Sequence, residues 1–464
     1  GGVITAEAWA GKHYAVYGLA RSGLATVRAL LASGARVTAW DEREEARNQL
    51  LPPGGEARSA GGVLTDPSVG SADISPKGKL LIAPLDDLRP FDSLVLSPGV
   101  PLNTHPLGQR AREAGVEIIG DIELFARARP ELPPHKVVGI TGTNGKSTTT
   151  ALVHHILATA GVPATMGGNI GLPILAQDPL PEGGVYVLEL SSFQIDLTQS
   201  LDCDVAVLLN ITPDHLDRYE SFEAYAASKA RLFEMQAPRS FAVLDYRSEA
   251  DEDVLSNAAD PLIIFFDMAG TFPDLAVSTT EDWPALSGSH NRLNAAAAAG
   301  VFSSLNQLGT NITSEQLISG FRTYPGLPHR MERVRDTDGV LFVNDSKATN
   351  PEAAAPALAA YPRVRWIVGG QAKTEDLGDT ARHLDHVVHA YTIGEAGPLF
   401  ARLLRDRGTA VTEAETLQNA VKRAAADSQA GEVVLLSPAC ASFDQFRDFE
   451  ARGEAFRRAV GELS

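Results

Sequence analysis

The sequence predicts an α/β protein of three successive parallel-sheet domains. Three observations lead there. Short apolar runs that read as buried strands alternate with helix-length amphipathic stretches along the chain. Many of these runs end in glycine-rich or polar turns, as strand ends gathered at the ligand edge of a parallel sheet do. No repeat of roughly 20 to 50 residues replaces this pattern.

The 464 residues are enough for roughly two to four domains, each with its own core. A formal charge of −18 argues against nucleic-acid and anionic-membrane partners. Cys203 and Cys440 both sit in apolar company and read as small buried side chains, not a disulfide scaffold. No stretch approaches the ~20 apolar residues of a membrane span, and no secretory signal opens the chain. A cytoplasmic enzyme is expected.

The first domain is expected over residues 1–120. His13 to Tyr17 is a strand, Gly18-Leu19-Ala20-Arg21-Ser22-Gly23 a turn, and Leu24, Val27, Leu30 and Leu31 mark a helix closed by Gly34. Arg36 to Trp40 is the next strand, with Asp41 at its end. This Rossmann-like β-α-β unit carries a phosphate turn and an acidic residue about twenty positions on. Ala20 stands where a dinucleotide site wants its middle glycine, so NAD is disfavoured. Another nucleotide diphosphate, or no ligand, also fits. Residues 52–79 read as an irregular excursion. Leu94 to Leu96 is a strand whose end brings Ser97 and Gly99 to the same edge, and Val116 to Ile119 closes the sheet.

The central domain is expected over 121–326. The apolar run Val137 to Ile140 leads into Gly142-Thr143-Asn144-Gly145-Lys146-Ser147-Thr148, and a helix follows through Leu152, Val153, Ile156 and Leu157. A glycine turn between strand and helix offers backbone N–H groups to a polyphosphate, and the helix N-terminus adds partial positive charge. Lys146 would reach the outer phosphates, and Ser147 would sit on Mg²⁺. Ile140 occupies the position of the motif's first glycine. Glu189 ends the strand Val185 to Leu188, where a Mg²⁺ ligand belongs. His215 follows the strand Val205 to Leu209 and a proline turn. Taken alone, such a histidine is more often structural than a ligand. Lys229 shares a helical face with Phe222, Tyr225, Leu232 and Phe233. Sequence alone favours a stem that snorkels to water. Held near the site, it would instead be a desolvated amine able to take up CO₂. Asn291 and Asn294 share a helical face and either bond a base or cap the helix.

The last domain is expected over 327–464, after the stiff Gly326-Leu327-Pro328-His329-Arg330 connection. The strands Val340 to Val343, Trp366 to Val368 and Val433 to Leu436 each end in polar loops, which argues for a second Rossmann-like sheet with a ligand edge. The loops bring Asp345, Lys347 and Thr349, then Lys373, then Ser437 and Phe443.

These motifs stand in the order seen in a Mur ligase. The resemblance rests on Gly142 to Ser147, Glu189-Leu190-Ser191-Ser192, His215, Lys229, His290-Asn291, Asn294, His329-Arg330 and Asn344 to Thr349. Gly120 to Phe125, Gly167 to Gly171, Leu190 to Gln194 and Leu436 to Ser442 resemble the family's D-glutamate-adding branch in particular. Nearly the whole chain is covered, with 52–84 the poorest part. The resemblance implies three domains, the central one P-loop ATPase-like, and a monomer in which the last domain swings about 326–330. It implies an ATP-driven amide bond: ATP phosphorylates the alanine carboxylate of UDP-N-acetylmuramoyl-L-alanine, and the amine of D-glutamate attacks the acyl phosphate.

Site roles are implied residue by residue. Lys146, His215 and Lys229 would be catalytic, and Gly142 to Thr148 would hold the nucleotide phosphates. Ser147 and Glu189 would serve one Mg²⁺, His215 and a carbamylated Lys229 a second. Asn294, Arg330 and Asp345 would hold the rest of ATP. Gly18, Ala20, Arg21, Ser22, Asp41, Arg43, Ser97, Gly99 and Asn169 would bind the UDP substrate. Lys347, Thr349, Lys373, Ser437 and Phe443 would bind D-glutamate, the two lysines suiting a dianion. The competing readings are another amide ligase of the family, including its folate-glutamating branch, a nucleotide-responsive binding protein, and an NAD oxidoreductase.

Overall fold

The computed structural model describes residues 2–51, 78–212, 217–245, 258–265, 283–286 and 289–464. The excursion expected at 52–79 falls almost entirely outside them, as does His215. The fold is α/β and divides into two compact units, Gly1–Arg322 and Thr323–Ser464.

The first unit carries two parallel sheets. One holds β1 (His13–Tyr17), β2 (Arg36–Trp40), β3 (Lys79–Ile82), β4 (Ser93–Leu96) and β5 (Glu117–Ile119) in the order β3-β2-β1-β4-β5. Register pairs Tyr17 with both Trp40 and Leu96, so the turns at Gly18, Asp41 and Ser97 leave the sheet along one edge. Gly23 lets the helix Arg21–Ala32 close on that edge, since a Cβ there would stand 1.8 Å from the Gly18 carbonyl oxygen.

The second sheet holds β6 (His135–Thr141), β7 (Ala164–Gly168), β8 (Gly184–Glu189), β9 (Val205–Leu208), β10 (Phe241–Leu244) and β11 (Leu262–Phe265) in the order β11-β10-β9-β6-β8-β7. β6, β8 and β9 are apolar without alternation because helices cover both faces. Pairing of Ile140 with Glu189 and of Thr141 with Leu208 sets these strand ends side by side. One buried apolar cluster runs through both sheets, from Ile4 and Trp9 to Tyr186, Leu208 and Leu244. Glu123, fully buried on the helix Asp121–Ala128, joins them further. It accepts from Gln199 N–H at 3.2 Å, Ser200 N–H at 2.9 Å and the Ser200 hydroxyl.

The second unit is one six-stranded sheet: β12 (Glu332–Thr337), β13 (Val340–Asn344), β14 (Val364–Gly369), β15 (Val387–Ile393), β16 (Val411–Glu415) and β17 (Val433–Leu436), ordered β12-β13-β17-β14-β15-β16. All pairs are parallel except β12 with β13, a hairpin closed by Asp338 and Gly339 at positive φ. Asn344 and Ile367 both pair with Leu436, so the loops after β13, β14 and β17 share an edge. The sequence reading named three strands of this sheet. It passed over β12, β15 and β16, which carry His, Thr, Glu and Arg among their apolar residues.

Candidate functional site

Three clusters collect at these sheet edges. In the first, β6 stays a strand through Thr141 with Ile140 fully buried, so the turn begins only at Gly142. This accounts for isoleucine where the usual motif has glycine. Gly142 (φ +150°) and Gly145 (φ +86°) take up the turn, and Gly145 caps the helix Lys146–Thr159. A Cβ on Gly145 would stand 2.3 Å from Asn294 Oδ1, which places the buried Asn294 against the turn. The helix runs Ser289–Gln307, so Asn291 lies inside its first turn and is not its cap. Asn291 Oδ1 accepts from Asn294 at 3.3 Å.

Asn210, just past β9, holds the turn from the other side. Its Oδ1 accepts from Thr143 N–H at 3.0 Å and Asn144 N–H at 2.8 Å, and its Nδ2 donates to the Asn144 carbonyl at 2.9 Å. The Thr143 hydroxyl lies 3.1 Å from the Tyr225 hydroxyl. Sequence reasoning missed this role for Asn210, because an asparagine after a strand reads as an ordinary turn residue.

Lys146 Nζ donates to the carbonyls of Gly142 at 2.8 Å and Thr143 at 3.0 Å. The Ser147 hydroxyl lies 3.0 and 2.9 Å from the two carboxylate oxygens of buried Glu189. A hydroxyl against a strand-end carboxylate, at the N-terminus of a helix, is an oxygen donor set suited to Mg²⁺. Lys229 does not snorkel. It is 2% exposed, donates to the Gly142 carbonyl at 2.9 Å and lies 5.0 Å from the centre of the Tyr225 ring. Among the described residues no group of three or more His, Cys, Asp or Glu is placed to hold a metal.

The second cluster is a cleft of about 310 Å³ lined by Ala20, Arg21, Ser22, Ser97 to Gly99, Asp121, Gly168, Asn169 and Gln194, among others. Asn169 is fixed by its N–H to the Glu189 carbonyl at 2.8 Å. Asp41 stands beside Gly18. It accepts from Leu19 N–H at 2.8 Å, Arg43 N–H at 2.9 Å and the Arg43 guanidinium at 3.2 Å. Burial pushes its carboxyl up, but these donors outweigh burial and hold it below the usual range. Arg43 itself remains exposed.

The third cluster lies in the second unit. Buried Asp345 accepts from the Ser437 hydroxyl at 2.7 Å and from Met331 N–H at 3.1 Å. Ser437, expected in an amino-acid pocket, is fully buried and spends its hydroxyl on Asp345. Arg330 and Lys347 are exposed, and Arg330 acts electrostatically on Asp345. Lys373 Nζ donates to the Thr349 hydroxyl at 3.2 Å. Phe443 is 68% exposed, which is unusual for a phenylalanine. Arg452 was missed. Only 1% exposed, it donates to the Ser346 hydroxyl at 3.0 Å, the Ser346 carbonyl at 2.8 Å and the Cys440 carbonyl at 3.0 Å, tying together the loops after β13 and β17. Burial lowers its pKa to about 10. An arginine on an ordinary helix gives no signal of this from sequence.

Residues 140–281 match the model of the Mur ligase middle domain, and residues 329–440 that of the Mur ligase glutamate ligase domain. The chain is also 55% identical to the UDP-N-acetylmuramoylalanine–D-glutamate ligase of Novosphingobium aromaticivorans, over 99% of this chain and 97% of that one. The chain belongs to the Mur ligase family. This Mur ligase is also similar to the enzymes of the same name from Sphingopyxis alaskensis and Zymomonas mobilis. They are 53% and 49% identical, each over 99% of this chain and 100% of the relative. Its fold is similar to that of the UDP-N-acetylmuramate-alanine ligase MurC of Thermotoga maritima, at TM-score 0.50 and 16% identity, over 97% of this chain and 99% of that one.

One pH dependence follows from Asp345. Burial raises its carboxyl from 3.8 to about 6, against the Ser437 and Met331 hydrogen bonds and Arg330, which lower it. The folded state therefore holds this proton more tightly than the unfolded chain does. The resulting stability is full below about pH 4 and lost as pH rises through about 6, to the extent of about 3 kcal/mol. Asp345→Asn cannot titrate. Urea unfolding of both proteins should show the wild type losing about 2–3 kcal/mol relative to the variant between about pH 4 and about pH 7. A pH-independent difference would contradict the assignment.

Proposed function

We propose that this Mur ligase uses ATP to join D-glutamate to UDP-N-acetylmuramoyl-L-alanine in cytoplasmic peptidoglycan precursor synthesis, a step that serves cell shape and division, and that it acts as a monomer. The observation that most supports this is the Ser147–Glu189 pair against the Gly142–Gly145 turn, in a chain whose full-length relatives carry that activity in their names.

The chemistry begins with a poor electrophile. The alanine carboxylate attacks the terminal phosphorus of ATP, the bond to ADP breaks, and an acyl phosphate forms. The amine of D-glutamate then attacks the acyl carbon, loses a proton, and phosphate leaves from the tetrahedral adduct. The chain's own groups supply position and charge. N–H groups at the start of the helix Lys146–Thr159 face the phosphates. Lys146 exchanges the Gly142 and Thr143 carbonyls for the transferring phosphoryl oxygens. Ser147 and Glu189 hold Mg²⁺, and His215 with a carbamylated Lys229 would hold a second ion. When bound, the two ions neutralise the anions that must meet at the acyl phosphate.

Asn294 sits where it can bond the nucleotide beside the turn, and Arg330 and Asp345 serve its ribose and phosphate side. The first-sheet turns at Gly18, Ala20 to Ser22, Asp41 to Arg43 and Ser97 to Gly99, with Asn169, hold the UDP moiety. Lys347, Lys373, Thr349, Ser437 and Phe443 receive the dianionic amino acid, and the Ser437 hydroxyl also holds Asp345.

The reading is tested by phosphate release from ATP with Mg²⁺ and UDP-N-acetylmuramoyl-L-alanine, offering D-glutamate, L-glutamate or meso-diaminopimelate separately. Turnover with D-glutamate alone is expected. Turnover only with another acceptor keeps the family and rejects this substrate, and no turnover in ATP-binding protein rejects the ligase reading. The burial of Lys229 motivates a second test. Lys229→Ala should lose activity and recover part of it with added short carboxylic acids, which replace the carbamate oxygens. Wild-type rates in the variant without additive would exclude a carbamate.

A further inference from the structure

Two buried carboxylates stand two residues apart in Gly120-Asp121-Ile122-Glu123. Glu123 is fully accounted for by the fold, with Gln199, Ser200 and Arg127 around it. Asp121 is not. It is 6% exposed and lines the nucleotide-substrate cleft together with Ser97, Asn169 and Gln194. It also lines the small recess behind that cleft, between Gly18, Ser22 and Thr26. One carboxylate oxygen accepts from Ile122 N–H at 3.0 Å. Its own backbone N–H also acts on the carboxylate, and among the described residues no side-chain donor or charged group contributes to its shift. Burial raises its carboxyl to about 6, so near neutral pH it is mostly an anion in a dry wall. Such a group is costly unless something in the cleft donates to it.

We propose that Asp121 is a specificity-determining residue whose carboxylate accepts a hydrogen bond from a hydroxyl or amide N–H on the sugar portion of the nucleotide substrate. This rests on the proposed function. The neighbouring chemistry favours a neutral donor over a phosphate. Ser97, Asn169 and Gln194 carry hydroxyl and amide groups, whereas the helix N-terminus at Arg21 and Ser22 already provides the anion site. A carboxylate would repel a diphosphate placed against it. Helix capping alone does not account for the residue, because only backbone N–H groups, of Ile122 and of Asp121 itself, act on its carboxylate while the residue also lines the cleft.

The test is titration calorimetry of UDP-N-acetylmuramoyl-L-alanine into wild type and Asp121→Asn, with a non-hydrolysable ATP analogue as control. The amide keeps the size and one acceptor but presents N–H₂ where an acceptor is required. About 10- to 100-fold weaker binding of the nucleotide sugar is expected, as for a lost hydrogen bond to a charged group, with ATP-analogue affinity unchanged and a thermal midpoint no lower than that of the wild type. Unchanged affinity would make Asp121 a helix cap only, and tighter affinity would place it against the phosphates. Either overturns the proposal. Should the amide variant fold poorly, Asp121→Ser retains a capping hydroxyl and must show the same selective weakening. Wild-type protein that binds no nucleotide sugar would reject the functional reading, and this inference with it.

Discussion

The side chain of Asn210 holds the Gly142–Gly145 turn in shape, and the proposed nucleotide site depends on it. By accepting from Thr143 and Asn144 N–H and donating to the Asn144 carbonyl, it fixes the residues between the two glycines. Two backbone donors are thereby committed to the protein. In the proposed site the N–H groups that face a phosphate are those from Gly145 into the first turn of the helix. The strand register then sets Glu189 beside Ile140 and Ser147 within reach of it. A slip of one residue in β6 would turn Gly142 and Ser147 away together.

The chain places much of its ionic chemistry in dry surroundings. Glu189, Lys229, Asp345 and Arg452 are each at least nine-tenths buried. Arg452 resolves its burial with carbonyls and a hydroxyl, which lets it brace two ligand loops without neutralising either. Asp345 resolves it with the Ser437 hydroxyl and a backbone N–H. Lys229 turns to the Gly142 carbonyl, so the amine and the phosphate turn share one hydrogen-bonded unit. Groups held this firmly need little reorganisation as charge develops in a reaction.

Much of this was legible in the sequence, and the physical reason is plain. β1, β2, β4, β6, β8, β9, β13, β14 and β17 are each built around an apolar run, as strands covered on both faces are. The glycine turn announced itself because positive φ demands glycine at Gly142 and Gly145. Strands without that signature were passed over, and so were the short apolar runs β10 and β11. β7 is Ala-Thr-Met-Gly-Gly, and β16 alternates valine and alanine with threonine and glutamate. The clamps of Asn210 and Arg452 were invisible because they depend on residues far away in the chain, which periodicity does not bring together. The snorkelling first read for Lys229 came from residue statistics. Only the packing of Tyr225 and Gly142 around its ammonium group corrected it.

The central claim is that ATP activates a carboxylate. It is tested most directly by following oxygen. UDP-N-acetylmuramoyl-L-alanine carrying ¹⁸O in its alanine carboxylate is turned over with ATP and D-glutamate, and the released phosphate is analysed by mass spectrometry. One labelled oxygen in each phosphate is predicted, because the acyl phosphate breaks at carbon. Unlabelled phosphate, with both labels outside it, would contradict the account and leave ATP hydrolysis uncoupled from bond formation.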